Sequence, residues 1–263
     1  MRESEDDLAL LISAAHAAGE IARRHFGDGP RFWDKGAGQG PVSEADLDVD
    51  AMLRARLLQA RPDYGWLSEE TADHPARLDR ARVFIIDPID GTRAFLEGQP
   101  GFAHVLAIVE EGVPVAAVVY LPMLGHTYSA ARGQGAFLGG RRLQVSDASS
   151  LDGATVLAAR PALAEANWPG GVPPVARHFR PSLAWRMALV AEGCFDAMLT
   201  LRPTWHWDIA AGALLIAEAG GVVSTARGAQ LRFNTPDPVA DGVIAAGAAL
   251  HAALLRHRAP TQA

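Results

Sequence analysis

The sequence predicts a layered chain of mixed α and β structure, and three observations predict it. Two amphipathic helical stretches come first, an antiparallel meander of apolar strands follows to about residue 150, and beyond that strand and helix alternate. At 263 residues, 49% apolar and 21% charged, the chain can bury a substantial core. The expected halves are residues 1–150, an α+β unit around an antiparallel sheet, and residues 151–263, an α/β unit. Their boundary is weakly marked, so the two are expected to pack as one body.

Leu8, Leu11, Ile12, Ala15, Ala18, Ala22 and Phe26 recur at helical spacing, and Gly27-Asp28-Gly29-Pro30 stops that helix. A polar, glycine-rich loop from Asp34 to Pro41 carries Lys35. The second helix begins near Ser43, buries Val49, Leu53 and Leu57, and ends before Pro62. Val83-Phe84-Ile85-Ile86 is a strand apolar on both faces. After a short helix, Ala103–Val109 and Val113–Leu121 form a hairpin around Glu110-Glu111-Gly112. Gly133–Leu138 and Arg142–Val145 are expected as strands around Gly139-Gly140. In the second half Ala154–Ala159 is a strand, and Pro161–Pro181, with five prolines, is loop. Leu183–Glu192 is a helix, Cys194–Leu199 a strand and Ile209–Ala219 a helix closed by Gly220-Gly221. Val222-Val223 opens a strand, and Ala245–His257 is the expected terminal helix.

A net charge of −6 argues against a nucleic-acid surface, though not against a small anionic substrate. Cys194, the only cysteine, lies in an apolar segment and is expected in the core; with no disulfide available, a reducing cytoplasmic location fits. The acidic start Met1-Arg2-Glu3-Ser4-Glu5-Asp6-Asp7 is not that of a signal peptide, and no apolar run is long enough to span a bilayer. Neither a P-loop nor a strand-linked G-x-G-x-x-G is present.

The chemistry concentrates where the Val83–Ile86 strand runs into Asp87-Pro88-Ile89-Asp90-Gly91-Thr92. Two carboxylates and a backbone carbonyl meet at the end of a buried strand, hard oxygen donors suited to Mg²⁺. Gly91 permits a left-handed turn, and a helix starting after it would leave the Gly91 and Thr92 amides free for an anion. Asp-Pro-x-Asp-Gly is equally ordinary turn chemistry. Asp46 lies on the stripe of Val49, Leu53 and Leu57, where Ser43-x-x-Asp46 has the form of a capping box. In Ser68-Glu69-Glu70 an extended backbone would turn one carboxylate inward and the other outward. Asp208, just before Ile209-Ala210-Ala211-Gly212, suits an N-cap, and His206 a packed neighbour of Trp205 and Trp207. The small residues that follow let another segment approach closely.

Glu69-Glu70, Asp87-Pro88-Ile89-Asp90-Gly91-Thr92 and Trp207-Asp208-Ile209-Ala210-Ala211-Gly212 with Glu218-Ala219-Gly220-Gly221 together resemble the inositol monophosphatase family of Mg²⁺-dependent phosphatases, over nearly the whole chain. The resemblance implies an αβαβα sandwich, usually homodimeric, acting on a small phosphorylated substrate, with most metal ligands in the first half and Asp208 in the second. It implies two to three Mg²⁺ ions: Glu69, Asp87 and the Ile89 carbonyl at one, Asp87, Asp90 and Asp208 at another, and a weaker one near Glu69. Asp46 and Thr92, with Glu69, form the implied catalytic set that orients and deprotonates water, which takes Asp46 away from the cap. Asp90, Gly91, Thr92, Asp208 and Arg202 are the positions expected to meet substrate, and Lys35 matches a loop lysine near the metals. Inositol-preferring members often carry a glutamate seven residues before the last metal-binding Asp, where this chain has Leu201 and then Arg202. They often have a Gly/Ser-Ala-Ala loop where this chain reads Pro181-Ser182-Leu183-Ala184. Arg180, Arg186 and Arg202 would suit a more anionic substrate, which points to a 3′(2′),5′-bisphosphate nucleotidase, with Trp185 and Trp205 as base-stacking candidates for which core packing is the expected role. Inositol-1-monophosphatase and histidinol-phosphatase (Asp90-Gly91-Thr92-Arg93-Ala94-Phe95) are the alternatives, and an inactive ligand-binding relative is the non-enzyme one.

Overall fold

Val83 and Ile85 point to one side of their strand and Phe84 and Ile86 to the other, and both sides are buried. That alternation between two apolar layers organises the protein. The computed structural model describes residues 2–27, 29–36 and 40–258; Asp28 of the first expected turn and residues 37–39 of the Asp34–Pro41 loop lie outside them.

Helix α1 (Arg2–His25) leads through the small hairpin β1 (Phe32–Asp34) and β2 (Pro41–Ser43) into α2 (Glu44–Ala60). Strands β3 (Gly65–Ser68) and β4 (Arg82–Asp90) pair in parallel. After α3 (Thr92–Leu96) come β5 (Ala103–Glu110), β6 (Val113–Leu121), β7 (His126–Ala131), β8 (Gly135–Leu138) and β9 (Arg141–Arg142), each antiparallel to its predecessor. They complete a seven-stranded sheet in chain order. The second sheet contains β10 (Thr155–Leu157), β11 (Ala176–His178) and, after α4 (Leu183–Ala191), β12 (Ala197–Trp205). Helix α5 (His206–Glu218), β13 (Gly221–Ser224), β14 (Val239–Gly247) and α6 (Ala248–Arg258) follow. Its order is β11-β10-β12-β14-β13.

Apolar contacts stack these elements into five layers. Leu11, Ala15 and Ala18 of α1, with Val49, Leu53 and Leu57 of α2, cover the Phe84 and Ile86 face. The Val83 and Ile85 face packs on α4 and α5, which also meet Met198, Val243 and Ala245 of the second sheet. Beyond that sheet, Leu199 and Ile244 lie against Leu250 and Leu254 of α6. The result is the αβαβα sandwich. Gly212 lets α5 approach α4: a Cβ there would fall 2.5 Å from the Met187 Cβ.

Several expected elements shift. Residues 245–247 complete β14, so the terminal helix starts only at Ala248. The expected strand over Arg142–Val145 shrinks to Arg141–Arg142, and the one at Cys194–Leu199 runs instead from Ala197 to Trp205. Cys194 is exposed in the turn after α4, not buried in the core. Helix α5 begins at His206 with Trp205 as its N-cap residue, which places Asp208 inside the first turn and not at the cap.

Candidate active site

Strand β4 carries the first carboxylates. Its ladder to β5 holds as far as Asp87 opposite Val105, slips, and resumes at Asp90 opposite Ala103. Pro88 has no N–H to strand in that slip, and His104 Nδ1 donates to its carbonyl at 2.5 Å. Burial pushes the His104 pKa down to about 4, so the ring is neutral. Gly91 then takes φ 102°, a left-handed conformation, and opens α3 as expected. A Cβ there would make only ordinary 3.5 Å contacts, so the backbone angle selects glycine.

Asp46 fills both of its candidate roles. Its Oδ2 accepts from the Ser43 amide and hydroxyl, completing a capping box. Its Oδ1 lies 3.2 Å from Thr92 Oγ, which is also 3.1 Å from the Ile89 carbonyl. The cap is therefore kept, because a carboxylate has two oxygens and the helix start needs one. Burial, the largest influence, raises the Asp46 pKa to about 6.

Glu69 and Glu70 do not split inward and outward. Lys35 Nζ donates to Glu69 at 2.8 Å and to Glu70 at 2.6 Å, drawing both to one side. Burial, then the Glu69 charge, lifts Glu70 to about 7. Asp50, one turn after Asp46 on α2, accepts from the Ser68 and Thr71 hydroxyls at 2.5 Å each and pins the segment on both sides of the glutamates. Its place on the stripe of Asp46 was the available signal for it.

Asp90 is held from the other sheet's side. The Ser182 hydroxyl and Ala184 amide at the start of α4 each donate to its Oδ2 at 2.7 Å. Asp208 comes from the first turn of α5. Burial, followed by repulsion from Asp90 and Glu69, raises its pKa well above the usual carboxylate range. Asp87 is buried, and its Oδ1 has no hydrogen-bond partner. Burial, with repulsion from Glu69, Asp90, Asp208 and Asp46, raises it likewise.

Glu69, Asp87, Ile89, Asp90, Gly91, Thr92, Asp208, Lys35 and Arg202 line one cavity of about 270 Å³. It adjoins a wider space of about 680 Å³ that shares Glu69, Asp90, Thr92 and Arg202 and extends to Arg93 and Phe179. Among the described residues no three acidic, histidine or cysteine side chains are grouped so that they could hold a metal ion as they stand; Glu69, Asp87, Asp90 and Asp208 line one cavity without closing on a common point. All-oxygen donors, mutual repulsion and the orphaned Asp87 oxygen suit hard divalent cations. Arg186 and Arg202 reach this cavity. Arg180 instead lies over the Trp185 and Phe195 rings, 5.5 Å from each centroid. Leu201 packs into the apolar layer under α6. Trp205 is 37% exposed, a correction to its expected core role, and lines the cavity with Trp207.

Residues 3–262 match the inositol monophosphatase family. The chain belongs to that family. It is 37% identical over 232 residues to an inositol-1-monophosphatase of Rhizobium meliloti (strain 1021), covering 84% of this chain and 86% of the relative. It is 36% identical to a histidinol-phosphatase of Mycobacterium tuberculosis (strain ATCC 25618 / H37Rv), covering 86% and 89%. The crystal structure of the extragenic suppressor protein suhB from Bartonella henselae superposes with a TM-score of 0.83 at 29% identity, covering 98% of this chain and all of that one. This family member is accordingly a phosphoric monoester hydrolase for small phosphorylated substrates, in a family that is generally metal-dependent. No helix among the described residues is long and apolar enough to cross a membrane.

Proposed function

We propose that this phosphatase uses Mg²⁺, two to three ions, to hydrolyse a small bisphosphorylated metabolite, with 3′-phosphoadenosine 5′-phosphate converted to AMP as the preferred reaction. One observation carries the metal reading: the buried Asp87 oxygen without a partner, facing repulsion from Glu69, Asp90 and Asp208 around one cavity. Glu69, Asp87, the Ile89 carbonyl, Asp90 and Asp208 would hold the ions. When bound, divalent cations acidify water and neutralise charge developing on the phosphoryl group.

The chain's own groups do the rest. Thr92, donating its proton to Asp46, keeps its lone pairs for an attacking water and orients it, and Asp46 takes up the proton through that pair. The Gly91 and Thr92 amides, at the start of α3, donate to the phosphoryl oxygens. Arg202, at the cavity wall, pairs with a second phosphate. The substrate preference rests on Arg202 reaching the cavity while Leu201 turns away into the apolar layer, which leaves no carboxylate there for a sugar hydroxyl. The second reading, inositol 1-phosphate, is favoured by the identity with the Rhizobium relative. A cytoplasmic homodimer is part of the proposal.

The test compares kcat/KM for 3′-phosphoadenosine 5′-phosphate, inositol 1-phosphate, histidinol phosphate and fructose 1,6-bisphosphate, in Mg²⁺ and in excess chelator. Full activity in chelator overturns the metal reading. A preference for inositol 1-phosphate that survives Arg202→Ala overturns the substrate reading alone.

A further inference from the structure

Trp205 and Trp207 flank a histidine at the junction of β12 and α5, and the structure sorts the three side chains. His206 is buried and sits edge-on to Phe233 at 5.2 Å. The two indoles meet elsewhere, stacked 4.7 Å apart and only 8° from parallel. Both line the cavity that holds the acidic cluster, and the outer ring, Trp205, is 37% exposed. Its backbone is fixed: Trp205 pairs with Val239 across the ladder, and the His206 amide donates to the Pro238 carbonyl at 2.9 Å. An irregularity in β12 between Thr200 and Pro203 precedes it, and Arg202 within it also reaches the cavity.

We infer that Trp205, backed by Trp207, is a stacking subsite for a planar heteroaromatic ring in the leaving group of the substrate. This deepens the proposed phosphatase reading and rests on it. A polyol is selected by side chains that hydrogen-bond its hydroxyls, and a site built that way discriminates strongly. Here the wall of the cavity presents indole, and Leu201 is packed away from it. A flat ring laid on Trp205 extends an existing stack, and the pairing of the Trp205 backbone with β14 keeps the ordering cost low. Guanidinium from Arg202 and indole from Trp205 together suit an anionic, ring-bearing phosphate ester. A nucleoside base and an imidazole share that chemistry.

Trp205→Ala and Trp205→Phe test the subsite in the Mg²⁺-loaded protein. Stacking on an aromatic residue predicts that Trp205→Ala raises KM for the ring-bearing substrate by about 5- to 150-fold, with most of the loss restored by Trp205→Phe. The specificity ratio of that substrate over inositol 1-phosphate falls by the same factor, and kcat moves little. The 3′-phosphoadenosine 5′-phosphate and histidinol phosphate arms tell base from imidazole. An equal loss on ring and polyol substrates, or no loss on either, overturns the subsite, as does a wild-type preference for inositol 1-phosphate. Fluorescence separates this from failure of the phosphatase reading. AMP should quench wild-type emission more than that of Trp205→Phe even if no ester is turned over, and equal quenching overturns the stack.

Discussion

Asp87→Asn should abolish turnover and yet stabilise the metal-free protein. The wild-type carboxylate is 1% exposed, its Oδ1 lacks a partner, and four other carboxyl groups repel it. An unsatisfied buried polar group costs about 1–3 kcal/mol. The amide removes the charge and can donate to the neighbouring carboxylates. Relief of that size corresponds to a rise of roughly 2–12 °C in melting temperature in chelator, at about 2–4 °C per kcal/mol for a chain this long. Mg²⁺ should reverse the ranking. At a hundredfold excess over Kd the wild type gains about 2.7 kcal/mol, and the variant, whose amide oxygen brings no charge to the shared position, gains little. Scanning calorimetry in EDTA and in saturating Mg²⁺ gives all four melting temperatures. A chelated variant that melts at or below the wild type, or equal stabilisation of both by Mg²⁺, refutes the reasoning.

Thr92→Ala and Asp46→Asn should each lower kcat by about 10²- to 10⁴-fold with Mg²⁺ binding retained; calorimetric titration showing metal affinity lost as badly as in Asp87→Asn contradicts that division of labour. His104 is neutral in the fold with its pKa near 4, below the usual 6.5, so it contributes stability that is present above 6.5 and lost as pH falls toward 4. The stability gap between wild type and His104→Gln should therefore narrow by about 2 kcal/mol between pH 7.5 and pH 5 in urea titrations; comparing the two proteins cancels the acidic cluster, whose raised pKa values act in the opposite direction. Ca²⁺ in excess should inhibit, since it fits the oxygen ligands without imposing octahedral geometry; Ca²⁺ supporting full turnover in a steady-state assay would count against the proposed ions.

Where period and punctuation agreed, the fold was legible in the chain. The Val83–Ile86 run, bounded by Asp-Pro and apolar throughout, reads as a strand covered on both sides and is one. Strand β14 was hidden because Ala245, Ala246 and Gly247 flow into the alanine-rich start of α6, and small residues have no period to separate strand from helix. The sequence offers Asp46 either as cap or as catalytic residue, whereas in the fold one oxygen caps the helix and the other meets Thr92. Motif residues on β4 and α5 could be found from spacing. The groups that aim them could not: Asp50, His104 and Ser182 act through contacts across 18, 16 and 92 residues of chain, which no local window spans.

Asp90 ends a strand of the seven-stranded sheet, while the hydroxyl and amide that grip it head the helix sandwiched between the two sheets. The seam of the molecule is thus also the wiring of its site. A chain whose two sheets had each formed without docking would own every acidic residue and still lack the clamp on Asp90. Loosening the seam, by a longer connection or a smaller side chain in the shared layer, should blunt turnover before it lowers the melting point. In such a protein activity is the more sensitive gauge of assembly.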